Sequence, residues 1–203
     1  EAHDNAPRSA SVDPEDVARF DALGEEWWDL WGPMRALHKL NPTRVDYVRE
    51  ILVAELLDAS ARLSSRPKRS EEPGPSATAP AAGSRIGLRP SGMTAGDAMG
   101  MSPHAPVDGP LSGLSILDIG CGGGILSEPL AKLGAKMTSI DPAPTNIEVA
   151  RAHAEKSGLE IDYRETTAEE LAATGAQFDA VLIMEVVEHV NDRPAFIATA
   201  ARG

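Results

Sequence analysis

The chain has 203 residues, with 19 Lys and Arg against 31 Asp and Glu for a formal net charge of −12, which argues against a nucleic-acid binder working through a diffuse basic surface. A single cysteine leaves no disulfide framework and no cysteine-rich zinc site, and no apolar run approaches the roughly 18 to 20 residues of a membrane-spanning helix. The length suits one domain of ordinary size with appendages.

The chain begins at Glu1 without Met and stops at Gly203 just after a helix-like run, so both ends read as cut. Net charges of −7 over residues 1–60, +2 over 61–110 and −7 over 111–203 divide it into three. These are an N-terminal helical cap, a Pro-, Gly- and Ser-rich linker or insertion, and the N-terminal part of a larger domain. In the cap, Asp13 starts a helix with Pro14 in the first turn and acids at the positive end of the dipole. Val17, Phe20, Gly24, Trp27 and Trp31 recur at helical spacing until Gly32-Pro33 ends the run. A second helix is expected from Asn41-Pro42, with Val45, Val48, Leu52 and Leu56 on one face. Trp27, Trp28 and Trp31 either anchor the first helix on the domain or cover a substrate. Between Ser64 and Pro110 lie 8 of the 16 prolines and 7 of the 18 glycines, a composition that cannot bury a core. Its basic cluster of Arg66, Lys68 and Arg69 reads as solvated linker.

From Leu114 the period changes. Leu114 to Ile119 is a short apolar strand opening into Gly120-Cys121-Gly122-Gly123-Gly124, and Ile125 to Leu133 reads as a helix. Lys136 to Ile140 is a second strand closed by Asp141, and Thr145 to Lys156 a helix. Leu159 to Tyr163 is a third strand and Phe178 to Met184 a fourth. Strands alternating with helices imply right-handed crossovers and a parallel sheet, with ligands at the carboxyl ends of the strands.

Glycines between a strand and a helix let the backbone approach a ligand beside free amide groups. Gly120, Gly122 and Gly124 satisfy G-x-G-x-G, but Ile125 stands where the strict dinucleotide fingerprint needs its third glycine. Asp118 adds an acid that could face a cationic amino-acid moiety. Asp141, at the end of the second strand, can accept hydrogen bonds from ribose hydroxyls. An adenosine carrying an amino acid fits all three features.

LDIGCGGG followed by an acid after the second strand resembles the class I S-adenosylmethionine-dependent methyltransferases over Leu114 to Gly203. FDALGEEWWDLWGPMRALHKLNPTR, ILDIGCGGGILSEPLAKLGA and MEVVEHV together resemble the ubiquinone-biosynthesis O-methyltransferase family. That resemblance implies a Rossmann-like α/β fold, here an incomplete parallel sheet of about four strands with an N-terminal helical extension. It implies S-adenosylmethionine as cofactor, lined by Arg44, Gly120, Asp141 and Met184, with Arg44 pairing the cofactor carboxylate in a bidentate fork. Thr167, Ala168 and Glu169 fall where such folds usually meet adenine. The implied acceptors are polyprenylated phenols or quinols methylated on catechol-type hydroxyls, with a peripheral membrane or biosynthetic-complex association. The implied location is cytoplasmic or at the inner membrane in a bacterium, or the matrix side of the inner membrane in a eukaryote.

If the segment after Met184 turns helical, Glu185, Glu188 and His189 share one face at positions i, i+3 and i+4. They could then hold a divalent ion, Mg or Zn, that ionises the acceptor oxygen. Alternatively His189 is a general base without metal, or the acids simply complement a helix start. His38 either borders the site or packs a helix entry, and Cys121 reads as a small loop residue. Three departures from the family stand out: Pro144-Thr145 replaces the acid often found before the Asn146-Ile147 pair, the linker is longer than usual, and the sequence stops at Gly203 before the further strands and substrate region that the resemblance implies.

Overall fold

The computed structural model describes residues 11–64 and 109–202, so most of the expected 61–110 linker lies outside the described residues. Helix α1 (Pro14–Asp21) begins as its sequence dictates: the Asp13 side chain accepts the Glu15 N–H at 2.9 Å, and Pro14 occupies the first turn. The single helix expected to run on to Trp31 does not form. Gly24 has a φ of +49° and turns the chain into a short 3-10 helix over Gly24–Trp28, because a left-handed residue cannot continue an α-helix.

Helix α2 (Arg35–Ser64) starts before the Asn41-Pro42 boundary read from the sequence and carries Pro42 inside it. The proline forfeits one intrahelical bond. Val48, buried with Val45, Leu52 and Val53 packed alongside, ties the helix to the domain core and favours its continuation.

Strands β1 (Ser115–Ile119), β2 (Lys136–Asp141), β3 (Asp162–Glu165) and β4 (Ala180–Ile183) form one parallel sheet in the order β3-β2-β1-β4. Helices α3 (Ser127–Lys132), α4 (Pro144–Lys156), α5 (Ala168–Ala173) and α6 (Arg193–Ala200) complete the alternation. β1 is buried continuously from Ile116 to Ile119, as befits a central parallel strand covered on both faces. Ile116 packs with Leu111, Leu130, Met137 and Val48 on one side, and Leu117 and Ile119 pack with Ile140, Leu171 and Phe196 on the other.

β3 begins later than the strand expected at Leu159, because Leu159 and Ile161 pack into the cluster of Ala154 and Tyr163 beside α4. The order steps outward on both sides of β1, which puts the switch point between β1 and β4. A crevice for ligands opens at the carboxyl ends there.

The segment after β4 departs most from expectation. Glu185 has a φ of +58°, the one positive value outside glycine among the described residues. Only a single 3-10 turn, Val187–His189, follows it. The α-helical face that was to gather Glu185, Glu188 and His189 is therefore absent.

Candidate functional site: two clefts meeting at the glycine loop

The loop after β1 is held from both sides. The N–H of Gly120 donates to the Ile140 carbonyl at 2.8 Å, which ties the loop to β2. The N–H of Gly122 donates to Asp141 Oδ2 at 2.9 Å, while Asp141 Oδ1 accepts the Ala143 N–H at 2.9 Å and the Asn146 amide at 3.1 Å. Burial pushes the Asp141 carboxyl above its ordinary range against these three donors. About four lone-pair directions exist on a carboxylate, so close to one remains for a ligand hydroxyl.

An aromatic clamp from the N-terminal segment presses on the same loop. Trp27 Nε1 donates to Asn146 Oδ1 at 2.6 Å, and Trp28 Nε1 donates to the Gly123 carbonyl at 2.9 Å. Trp28 stacks on His153 with ring centroids 3.4 Å apart, and His153 Nδ1 meets the buried Glu128 carboxylate at 2.5 Å. Trp27 and Trp28 thus anchor, and Trp27 also lines both clefts, whereas Trp31 is 81% exposed and does neither. His38 donates from Nε2 to the Trp27 carbonyl at 2.8 Å, supporting the clamp from behind.

One cleft is floored by Gly120, Gly122 and Asp141, walled by Thr167, Ala168 and Glu169, and roofed by Val17 and Phe20 of α1. The second contains Arg44, Asp118, Gly120, Met184, Glu185 and Glu188 beside the apolar Pro33, Met34 and Leu37. Both include Gly120, Glu185 and His189. Gly124 lines neither; a Cβ there would lie 2.3 Å from the Tyr163 hydroxyl, so its place is in packing.

Asp118 is buried and accepts the Ser127 hydroxyl at 2.6 Å, and Ser127 in turn accepts from Ser139 at 3.0 Å. Burial pushes its pKa up to about 6, opposed by the Ser127 bond and by the Arg44 charge. Arg44 reaches in from α2 with its side chain 13% exposed, 3.4 Å from Glu185, and its Nε is buried without a hydrogen-bond partner. Such a guanidinium has donors to spare for a carboxylate. Burial and the nearby Asp141 and Asp118 charges hold the Cys121 thiol protonated, which removes it as a nucleophile.

The expected metal set is not assembled. Glu185 faces Arg44, His189 Nδ1 meets Asp16 Oδ2 at 3.0 Å, and Glu188 is exposed. Among the described residues no group of three or more His, Cys, Asp or Glu side chains is placed to hold a metal ion. The bend at Glu185 is the reason, since it separates positions that an α-helix would align. Asp16 and Asn146 were not singled out from sequence; Asp16 read only as a helix-start acid, and its partner is 173 residues away.

Residues 117–203 match a family model described as a methyltransferase domain, and with the parallel sheet and loop this defines a Rossmann-like class I fold, that of S-adenosylmethionine-dependent methyltransferases. The chain is 50% identical over 188 residues to the ubiquinone biosynthesis O-methyltransferase of Methylocella silvestris, covering 93% of this chain and 58% of that one. It is 43% identical over 196 residues to the protein of the same name from Methylobacterium sp. (strain 4-46), covering 97% and 61%. It is similar to these ubiquinone biosynthesis O-methyltransferases along nearly all of its own length, and spans about six tenths of the length of the relatives it matches. Among solved structures, the magnesium protoporphyrin IX methyltransferase of Synechocystis PCC 6803 with bound SAM aligns over 45% of each chain, with 29% identity and a TM-score of 0.41.

Proposed function

We propose that this chain forms the cofactor site and part of the acceptor site of an S-adenosylmethionine-dependent O-methyltransferase. Its acceptors are catechol-type hydroxyls of polyprenylated ubiquinone precursors, demethylubiquinol and polyprenyl dihydroxybenzoate. The meeting of the two clefts at Gly120, Glu185 and His189 supports this reading, since it brings a nucleoside-type floor and an apolar neighbour to one imidazole.

S-adenosylmethionine supplies an electrophilic methyl group on a sulfonium. In this chain Asp141 accepts a ribose hydroxyl at its remaining lone pair, and Arg44 forks onto the amino-acid carboxylate with the donors it now leaves idle. His189 takes the acceptor's hydroxyl proton as the oxygen turns nucleophilic. Phe20 and Trp27, which line both clefts, keep water from the reacting oxygen. These steps are written without a divalent ion, since among the described residues Glu185, Glu188 and His189 are not gathered into a group placed to hold one.

Pro33, Met34 and Leu37 give the second cleft an apolar wall suited to an isoprenoid tail. Such a substrate places the protein at a membrane surface as a peripheral partner; among the described residues no helix is long and apolar enough to cross one. Transfer of a labelled methyl group by the full-length protein to a panel of acceptors tests the reading. Turnover of polyprenyl catechols is expected. Turnover confined to unrelated hydroxyl compounds would point to another class I methyltransferase, and S-adenosylhomocysteine binding without turnover to a noncatalytic module.

A further inference from the structure

Helix α1 lies across the nucleoside-side cleft and is fastened at its edges. Val12 pairs with Val190 in an antiparallel bridge, and the Asn191 N–H donates to the Ser11 carbonyl at 2.8 Å. The Ser11 hydroxyl donates to Glu169, and Asp21 accepts the Thr145 N–H at 2.8 Å. No residue of α1 is fully buried, so polar latches and half-buried contacts such as the edge-on meeting of Phe20 with His189, 5.1 Å between centroids, hold it. Polar latches and few buried apolar contacts are the features of an element able to open more readily than the core.

One latch ends on the histidine itself. Asp16 Oδ2 lies 3.0 Å from His189 Nδ1. An ionised carboxylate can only accept, so Nδ1 carries the proton, and in the neutral imidazole Nε2 is then the nitrogen with the lone pair. We propose that Asp16 is a positioning residue, which sets His189 in the Nδ1–H tautomer with Nε2 ready to receive a proton only while α1 is closed over the cofactor cleft. This rests on His189 being the acceptor's base. Closing the cofactor in and arming the base are then one event.

Nitrogen-15 NMR of the His189 ring in the full-length protein, with and without S-adenosylhomocysteine, tests this. Hydrogen exchange of the α1 amides is followed in parallel. The Nδ1–H form is expected to dominate in the wild type and to increase as the ligand slows exchange in α1. Asp16→Ala should shift the ring towards Nε2–H or a tautomer mixture and lower kcat by about a hundredfold. Asp16→Glu should restore part of both, and S-adenosylhomocysteine binding by each variant reports that it is folded. A second variant lacking residues 1–21 should show the same tautomer change without altering Asp16 alone. An unchanged tautomer in Asp16→Ala and in the shortened chain overturns the proposal. The tautomer is read without turnover, so failure of every catechol acceptor would sink the functional reading and leave this result standing on its own.

Discussion

The indole of Trp27 fills the space that a side chain on Gly122 would need: a Cβ there would lie 2.4 Å from Trp27 Cη2. Gly122 also has a φ of +53°. Gly122→Ala therefore meets two penalties, left-handed strain of about 1 to 2 kcal/mol and displacement of the indole. A fall in melting temperature of about 5 °C and weaker S-adenosylhomocysteine binding are expected by calorimetry. An unperturbed variant would show that the indole is free to move aside.

Asp141→Ala removes the acceptor for the buried Gly122 and Ala143 amides as well as a ligand contact. Titration should show S-adenosylhomocysteine binding weakened by roughly tenfold to a hundredfold, the equivalent of about 1.5 to 3 kcal/mol. Wild-type affinity in a folded variant would remove Asp141 from the ribose site.

Arg44 is tested by comparing two ligands. Arg44→Met should weaken S-adenosylhomocysteine by about tenfold or more yet leave methylthioadenosine, which lacks the amino-acid carboxylate, bound as before. Equal losses for both ligands would mean that Arg44 shapes the cleft without holding that group.

Asp118 gives a pH signature. Folded, it keeps its proton up to about pH 6, whereas an unfolded aspartate releases it near about 3.9. Between those values the folded state binds more protons, so this group's contribution favours folding at low pH and is lost as pH rises through about 6. The full swing is roughly 3 kcal/mol. Asp118→Asn can still accept the Ser127 hydroxyl and carries no charge, so its melting temperature relative to wild type should climb between about pH 4 and pH 7.5. A flat difference across that range would contradict the burial argument.

Leu114 to Asp141 was largely legible in the sequence because its determinants are local: an apolar run, glycines and a terminal acid follow one another along the chain. The parallel pairing of the strands followed from their alternation with helices, whereas the order β3-β2-β1-β4 did not. What escaped depends on distant partners. The Trp27–Asn146 bond joins residues 119 apart and the Trp28 bond to Gly123 residues 95 apart, and neither spacing leaves a periodic trace. The break in the first helix turned on the backbone angle of Gly24, a residue that equally fits a helical stripe. The lost face at Glu185 had no signal at all, since a glutamate with positive φ contradicts its own preference. Strain of that kind gathers at ligand sites.

The three indoles occupy three different surroundings: Trp27 buried against the glycine loop, Trp28 stacked on an imidazole, and Trp31 in solvent. Their emission should divide accordingly into a short-wavelength component, a quenched one and a long-wavelength one. Ligand entry beneath α1 shifts the first, release of the loop from Trp28 brightens the second, and the third stays constant as an internal standard. The clamp that holds the loop thus gives the protein an intrinsic optical reporter of the loop's position, readable in single-tryptophan variants without any attached label.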